Sequence, residues 1–138
     1  MVYGLWAGGL CLAGLAVFYF FPTAVPPPQL PPDVARYPGF ALLQGVDAAG
    51  NACPSLHVAT AVFSAFWIEH LLRHLRAPGS MRAGNVLWVL LIVYSTLAIK
   101  QHVVLDVAAG TLLAVVFAWP SLRWFPHSAA HAGARAAR

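Results

Sequence analysis

Lys100, His102 and Asp106 fall together at the junction of two apolar runs, residues 86–99 and 103–119. An ionised aspartate at the centre of a bilayer costs about 2.5 to 3.5 kcal/mol on insertion scales, so one placed in such a run is a functional hypothesis by default. His102 and Asp106 are four residues apart, which on a helix puts them on one face. A carboxylate that holds one imidazole nitrogen fixes the tautomer and stabilises the cation, leaving the other nitrogen to attack or to take a proton. His102 is therefore a candidate nucleophile, with Asp106 orienting it. A second stretch, Asn-Ala-Cys-Pro-Ser-Leu-His-Val-Ala from Asn51 to Ala59, also stands where a turn enters an apolar run. His57 there is free to protonate a leaving oxygen, help typically worth about a hundred- to ten-thousand-fold in rate. Lys100, the Ser55 hydroxyl and the amides at the start of that run suit a phosphate oxyanion. Together these residues describe phosphoryl transfer through a phosphohistidine, with no metal and no cofactor required. Each has a plainer reading when taken singly: an interface histidine, an anchoring lysine, or, for His57, His102 and Asp106 as a set, a zinc site.

The elements that must position these residues follow from composition. Of the 138 residues, 60% are hydrophobic and only 9% charged, against roughly 25% charged in soluble domains. In lipid the backbone must satisfy itself internally, and no alternating barrel pattern occurs, so the fold class is all-α: a polytopic membrane helical bundle with about four transmembrane helices. The expected spans are 2–21, 56–72, 84–100 and 103–119. Residues 2–21 are uncharged and long enough to cross a hydrocarbon core of about 30 Å. They have neither the positive leading segment nor the small-residue cleavage site of a signal peptide, and read as a retained span.

Most of the prolines lie between Pro22 and Pro38, which excludes a continuous helix and makes residues 22–53 a Pro-rich loop outside the bilayer. Pro54 and Ser55 then suit the first turn and the cap of the next helix. Glu69 is expected to pair with Arg73 at i+4. The domain is taken to end at 122, with 123–138 a disordered cytoplasmic tail rich in Ala, Gly and His. The net charge of +4 comes from arginines flanking apolar runs and forms no stripe, so nucleic acid is not an expected partner. Cys11 and Cys53 give no disulfide framework.

Four spans place Arg73, Arg76, Arg82, Arg123, Arg135 and Arg138 on one side and only Arg36 and Lys100 on the other. The positive-inside rule then puts both termini in the cytoplasm of a cell (inner) membrane protein, with His57, Lys100 and His102 on the outer face.

Pro54-Ser55-Leu56-His57 resembles the Pro-Ser-Gly-His signature of the type 2 phosphatidic acid phosphatase superfamily, which holds lipid phosphatases, undecaprenyl pyrophosphate phosphatases and vanadium haloperoxidases. Ser95-Thr96, five residues, His102, three residues, Asp106 is similar to that family's Ser-Arg, five residues, His, three residues, Asp. Phe21-Pro22-Thr23 and Gly50-Asn51 look most like the branch of inositol phosphorylceramide synthases. The resemblance covers about residues 15 to 112. It implies a membrane enzyme acting on a lipid phosphate or pyrophosphate, with His102 as nucleophile, Asp106 as its orienting partner, His57 as general acid, and Ser55, Ser95 and Thr96 at the phosphate.

Three departures accompany it. Leu56 stands where many members have Gly. Thr96 stands where many have a phosphate-clamping Arg, and a hydroxyl supplies neither the charge nor the fork of a guanidinium, so Lys100 is the candidate substitute. The family's first motif, Lys, six residues, Arg-Pro, is missing, and four spans stand against the usual six or so. The alternatives left are a truncated reading frame, a minimal member completed as a homo-oligomer, a head-group phosphotransferase, or a non-catalytic membrane subunit.

Overall fold

The computed structural model describes residues 1–23, 53–98 and 104–136, with the side chains of the last helix as far as Trp124. Four helices carry them: α1 (Val2–Phe20), α2 (Leu56–His74), α3 (Gly79–Ala98) and α4 (Val104–Ala136). The chain is thus the all-α bundle expected. Most of the Pro-rich loop lies outside the described residues, as do Lys100 and His102.

Three helices are long and apolar enough to cross a membrane: α1, the part of α3 from Gly79 to Leu97, and the part of α4 from Val104 to Trp124. α2 is as long as α1 but carries Glu69, His70, Arg73 and His74 towards its end. It is the central helix, packed on α1, α3 and α4. A helix that faces other helices has less need of an apolar girdle than one that faces lipid. The outward faces of the other three carry the large apolar side chains, among them Leu12 and Phe20 on α1, Leu87, Trp88 and Leu91 on α3, and Leu112, Val116 and Trp119 on α4.

Pairings along the bundle fix the directions. Arg82 meets Glu69, and Asn85 Nδ2 donates to the Ala65 carbonyl at 3.0 Å, so α3 runs antiparallel to α2. Gly14 abuts Leu56 while the Tyr3 hydroxyl lies 2.9 Å from Ser64 Oγ, so α1 is antiparallel to α2 as well. α2 and α4 are parallel: Ser55 touches Asp106 at one end, and Trp67 Nε1 donates to the buried Ser121 Oγ at 3.0 Å further along. The seam between these two is built from small residues. Gly110, Ala114 and Ala118 recur every fourth residue on α4 and let its backbone close on Ala59, Phe63 and Trp67, the packing mode that replaces the hydrophobic effect inside lipid.

Two boundaries differ from the sequence expectation. α3 begins at Gly79, not 84, because Arg82 reaches back to Glu69 with Nη2 at 2.7 Å of Oε1, while Arg73 Nε binds the same oxygen at 2.6 Å. The polar connector therefore winds into helix. It is also shorter than expected, since α2 stops in a Schellman turn: Ala77 N–H donates to the Leu72 carbonyl at 2.9 Å and Arg76 N–H to Arg73 at 3.1 Å, with Arg76 at φ 53°. An arginine in the left-handed region carries none of the glycine signal that marks such a stop. The second difference is at the C-terminus, where α4 runs as far as Ala136, past the boundary expected at 122. Alanine is the strongest helix former and arginine stands close behind it, and eight of the eleven residues from 128 to 138 are Ala or Arg, with a single Gly among them.

Candidate functional site

Antiparallel and parallel neighbours together bring four helix ends to one level: the starts of α2 and α4 and the ends of α1 and α3. Ser55 and Asp106, 51 positions apart in sequence, meet there through the main chain, with the Ser55 N–H donating to the Asp106 carbonyl at 3.1 Å. Both residues are buried, Ser55 fully and Asp106 at 4% exposure. The Cys53–Pro54 peptide leading into this contact is cis.

Ser55 caps α2 as its residue type dictates. Its Oγ accepts from Val58 N–H at 3.4 Å and its carbonyl accepts the first helical bond from Ala59 at 2.9 Å. Oγ accepts in that bond, which does not engage its own proton, and it lies beside first-turn amides of the kind a helix leaves without intrahelical acceptors. His57 follows in the first turn and is exposed. Asp106 lies in the first turn of α4, where a negative charge is favoured by the helix dipole.

Gly110 makes this meeting possible. A Cβ on it would stand 2.5 Å from the Ser55 carbonyl oxygen, a distance real Cβ atoms essentially never show, so only glycine lets α4 lie this close to the cap of α2.

Thr96 belongs to the same end. It lies eleven residues beyond Asn85 on α3, and Ser55 lies ten before Ala65 on α2, both about 15 Å from the Asn85–Ala65 bond at 1.5 Å per residue. Thr96 is buried and Ser95 is exposed. Their hydroxyls donate back into α3, Thr96 to Val93 at 2.8 Å and Ser95 to Ile92 at 2.9 Å, which leaves each only acceptor capacity unless it rotates. As they stand, neither replaces the charge of a phosphate-clamping arginine. Of the residues singled out in the sequence, the structure gathers Ser55, His57, Thr96 and Asp106 at one end of the bundle; Lys100 and His102 lie between α3 and α4 in the chain, outside the described residues.

A family model for the PAP2 superfamily matches residues 4–129. The chain belongs to the PAP2 superfamily. No curated protein and no solved structure matches it. Superfamily membership gives the chain a phosphatase-type function, and its apolar helices make it a membrane protein, a setting that fits a lipid substrate.

Two residues at this site were given no role there from the sequence: Thr23 was read as part of the Phe21-Pro22-Thr23 resemblance and Cys53 as a thiol without a disulfide framework. The hydroxyl of Thr23, just past α1, accepts from Cys53 N–H at 2.9 Å and donates to the Cys53 carbonyl at 3.4 Å. Cys53 in turn is half-buried. Burial pushes its thiol up from its ordinary value, and the charge of Asp106 and hydrogen bonding to its carboxylate push it further, since only the protonated thiol donates. Nothing in the spacing of Thr23, Cys53 and Asp106 signals the arrangement. Gly110 did have a signal, the Gly-Ala-Ala repeat at every fourth residue.

Proposed function

We propose that the protein is an integral membrane lipid phosphatase or phosphotransferase that opens a phosphoester or pyrophosphate through a phosphohistidine, without a metal, at the outer membrane face. The observation that carries the reading is the meeting of Ser55 and Asp106. It brings Pro54-Ser55-Leu56-His57 from one motif and Asp106 from the other to one end of a bundle whose chain belongs to the PAP2 superfamily.

In the proposed mechanism one ring nitrogen of His102 attacks phosphorus in line while Asp106 holds the other. The phosphorus–oxygen bond to the leaving group breaks as the nitrogen–phosphorus bond forms, and His57 gives its proton to the departing oxygen. Water or a lipid hydroxyl then attacks the phosphohistidine, losing its proton to His57 and restoring both histidines. Ser55 and the first-turn amides of α2, with Lys100, Ser95 and Thr96, hold the equatorial oxygens. When the acceptor is a lipid alcohol the same steps make a head-group phosphotransferase. Phe21-Pro22-Thr23 and Gly50-Asn51 favour that variant, of the inositol phosphorylceramide synthase type.

The test is phosphate release from phosphatidic acid, an isoprenyl pyrophosphate and a phosphoinositol lipid, by membranes carrying the wild type or His102→Ala, with chelator present. Release that needs His102 and survives chelation is the expected result. Release that is unchanged in His102→Ala, or that chelator abolishes, sinks the mechanism; a product formed only when a lipid alcohol is added selects the transferase.

A further inference from the structure

We propose that Cys53 is a positioning residue of the phosphoryl-transfer site: its thiol holds the Asp106 carboxylate, and Thr23 holds Cys53 in place from the end of α1. The assignment rests on the role given above to Asp106.

Geometry supplies the argument. The main chain of Cys53 is gripped on both sides by one hydroxyl, with its N–H 2.9 Å from Thr23 Oγ1 and its carbonyl 3.4 Å from the same atom. Two residues later the Ser55 N–H is fixed to the Asp106 carbonyl at 3.1 Å. The segment from Cys53 to Ser55 is thus tied at one end to α1 and at the other to the first turn of α4, with Pro54 buried between them. With Ser55 fixed on Asp106 only two residues further on, the short Cys53 side chain is kept at the Asp106 end of the segment, and Asp106 is among the causes that push its thiol up.

A carboxylate has about four lone-pair positions on two oxygens, and a donor on one of them limits its rotation and leaves the others for a histidine. This is how a second contact fixes the group that orients a nucleophile. It also gives the outer end of α1 a function, since α1 otherwise reaches the site only through packing. Among the described residues, the other ionisable groups towards this end of the bundle are Asp106 on α4, His57 in the first turn of α2, and the exposed phenols of Tyr19 on α1 and Tyr94 on α3.

The test has two arms, both in the full chain in membranes with Cys11→Ala as background, which leaves Cys53 as the single thiol. The first reads the rate at which a membrane-impermeant maleimide alkylates Cys53 at neutral pH. Asp106→Asn is expected to speed alkylation about three- to tenfold, because a larger thiolate fraction outweighs the lower nucleophilicity of a less basic thiol. Thr23→Val is expected to speed it as well, by freeing the segment, while Thr23→Ser keeps the wild-type rate. An unchanged rate in Asp106→Asn overturns the thiol–carboxylate contact.

The second arm reads steady-state turnover. Cys53→Ala is expected to lower kcat about tenfold with KM little changed, the mark of an effect on the reacting group and not on lipid binding. Cys53→Ser, whose hydroxyl keeps a donor in place, is expected to restore most of kcat. Wild-type kcat in Cys53→Ala overturns the positioning role, as does an equal loss in Cys53→Ser. A chain with no His102-dependent turnover overturns the phosphohistidine reading and the positioning role with it, while the alkylation arm still decides the contact by itself.

Discussion

Gly110→Ala tests whether the close approach of α4 to the cap of α2 is what assembles the site. The new Cβ would sit 2.5 Å from the Ser55 carbonyl oxygen, and ordinary contact begins at 3.4 Å. Relief by separation requires a retreat of about 0.9 Å, and the obstacle is backbone, which has no rotamer to give way. The same retreat would take the Ser55 N–H to Asp106 bond from 3.1 Å to about 4 Å, beyond hydrogen-bonding range. Overpacking of this kind typically costs about 1 to 3 kcal/mol, so the bundle should still insert and fold. Misplacement of catalytic groups by about 1 Å can cost about a hundredfold in rate. The expected result is therefore a thermal midpoint in detergent only a few degrees lower, with His102-dependent phosphate release down by about two orders of magnitude. Gly84→Ala, at a position with nothing within 4 Å of the added carbon, is the control and should match the wild type in both measurements. A Gly110→Ala chain that releases phosphate at the wild-type rate would show that the meeting of Ser55 and Asp106 does not matter to the chemistry.

Other consequences follow from the same contacts. His57→Ala and His102→Ala should each abolish turnover while membrane insertion, read by carbonate extraction, is unchanged; Asp106→Asn should lower the rate without abolishing lipid binding. Gly14→Ala should be mild, within about 1 kcal/mol in a detergent melt, because the atom its Cβ meets is the end of the flexible Leu56 side chain and not backbone. Ser121→Ala removes the acceptor 3.0 Å from Trp67 Nε1 in the buried α2–α4 seam and should cost about 1 to 3 kcal/mol of stability with little effect on kcat, since it lies some four turns from the site.

Much of the fold is legible from local pattern. Val2–Phe20 and Leu56–His74 fall within two residues of where uncharged length and the Pro54-Ser55 start signal put them. The Glu69–Arg73 pair follows from i+4 spacing alone. The end of α2 was harder, because its stop uses Arg76 where glycine would have announced it. The early start of α3 was hidden for another reason: a polar stretch becomes helix there through a partner, Glu69, that belongs to a different helix.

The amino-acid sequence by itself determined that this chain is an all-α membrane protein, and which residues of the PAP2 motifs stand at the mouths of its apolar runs. Those are properties of composition and short spacing, and lipid enforces them by leaving the backbone no alternative to helix. Only the tertiary structure decided that Ser55 lies on Asp106, that Gly110 is the residue that permits it, and that Thr23 and Cys53 join the same corner. Such contacts link residues about 30 to 55 positions apart, and they depend on whether two backbones can approach within a fraction of an ångström, which no local pattern records.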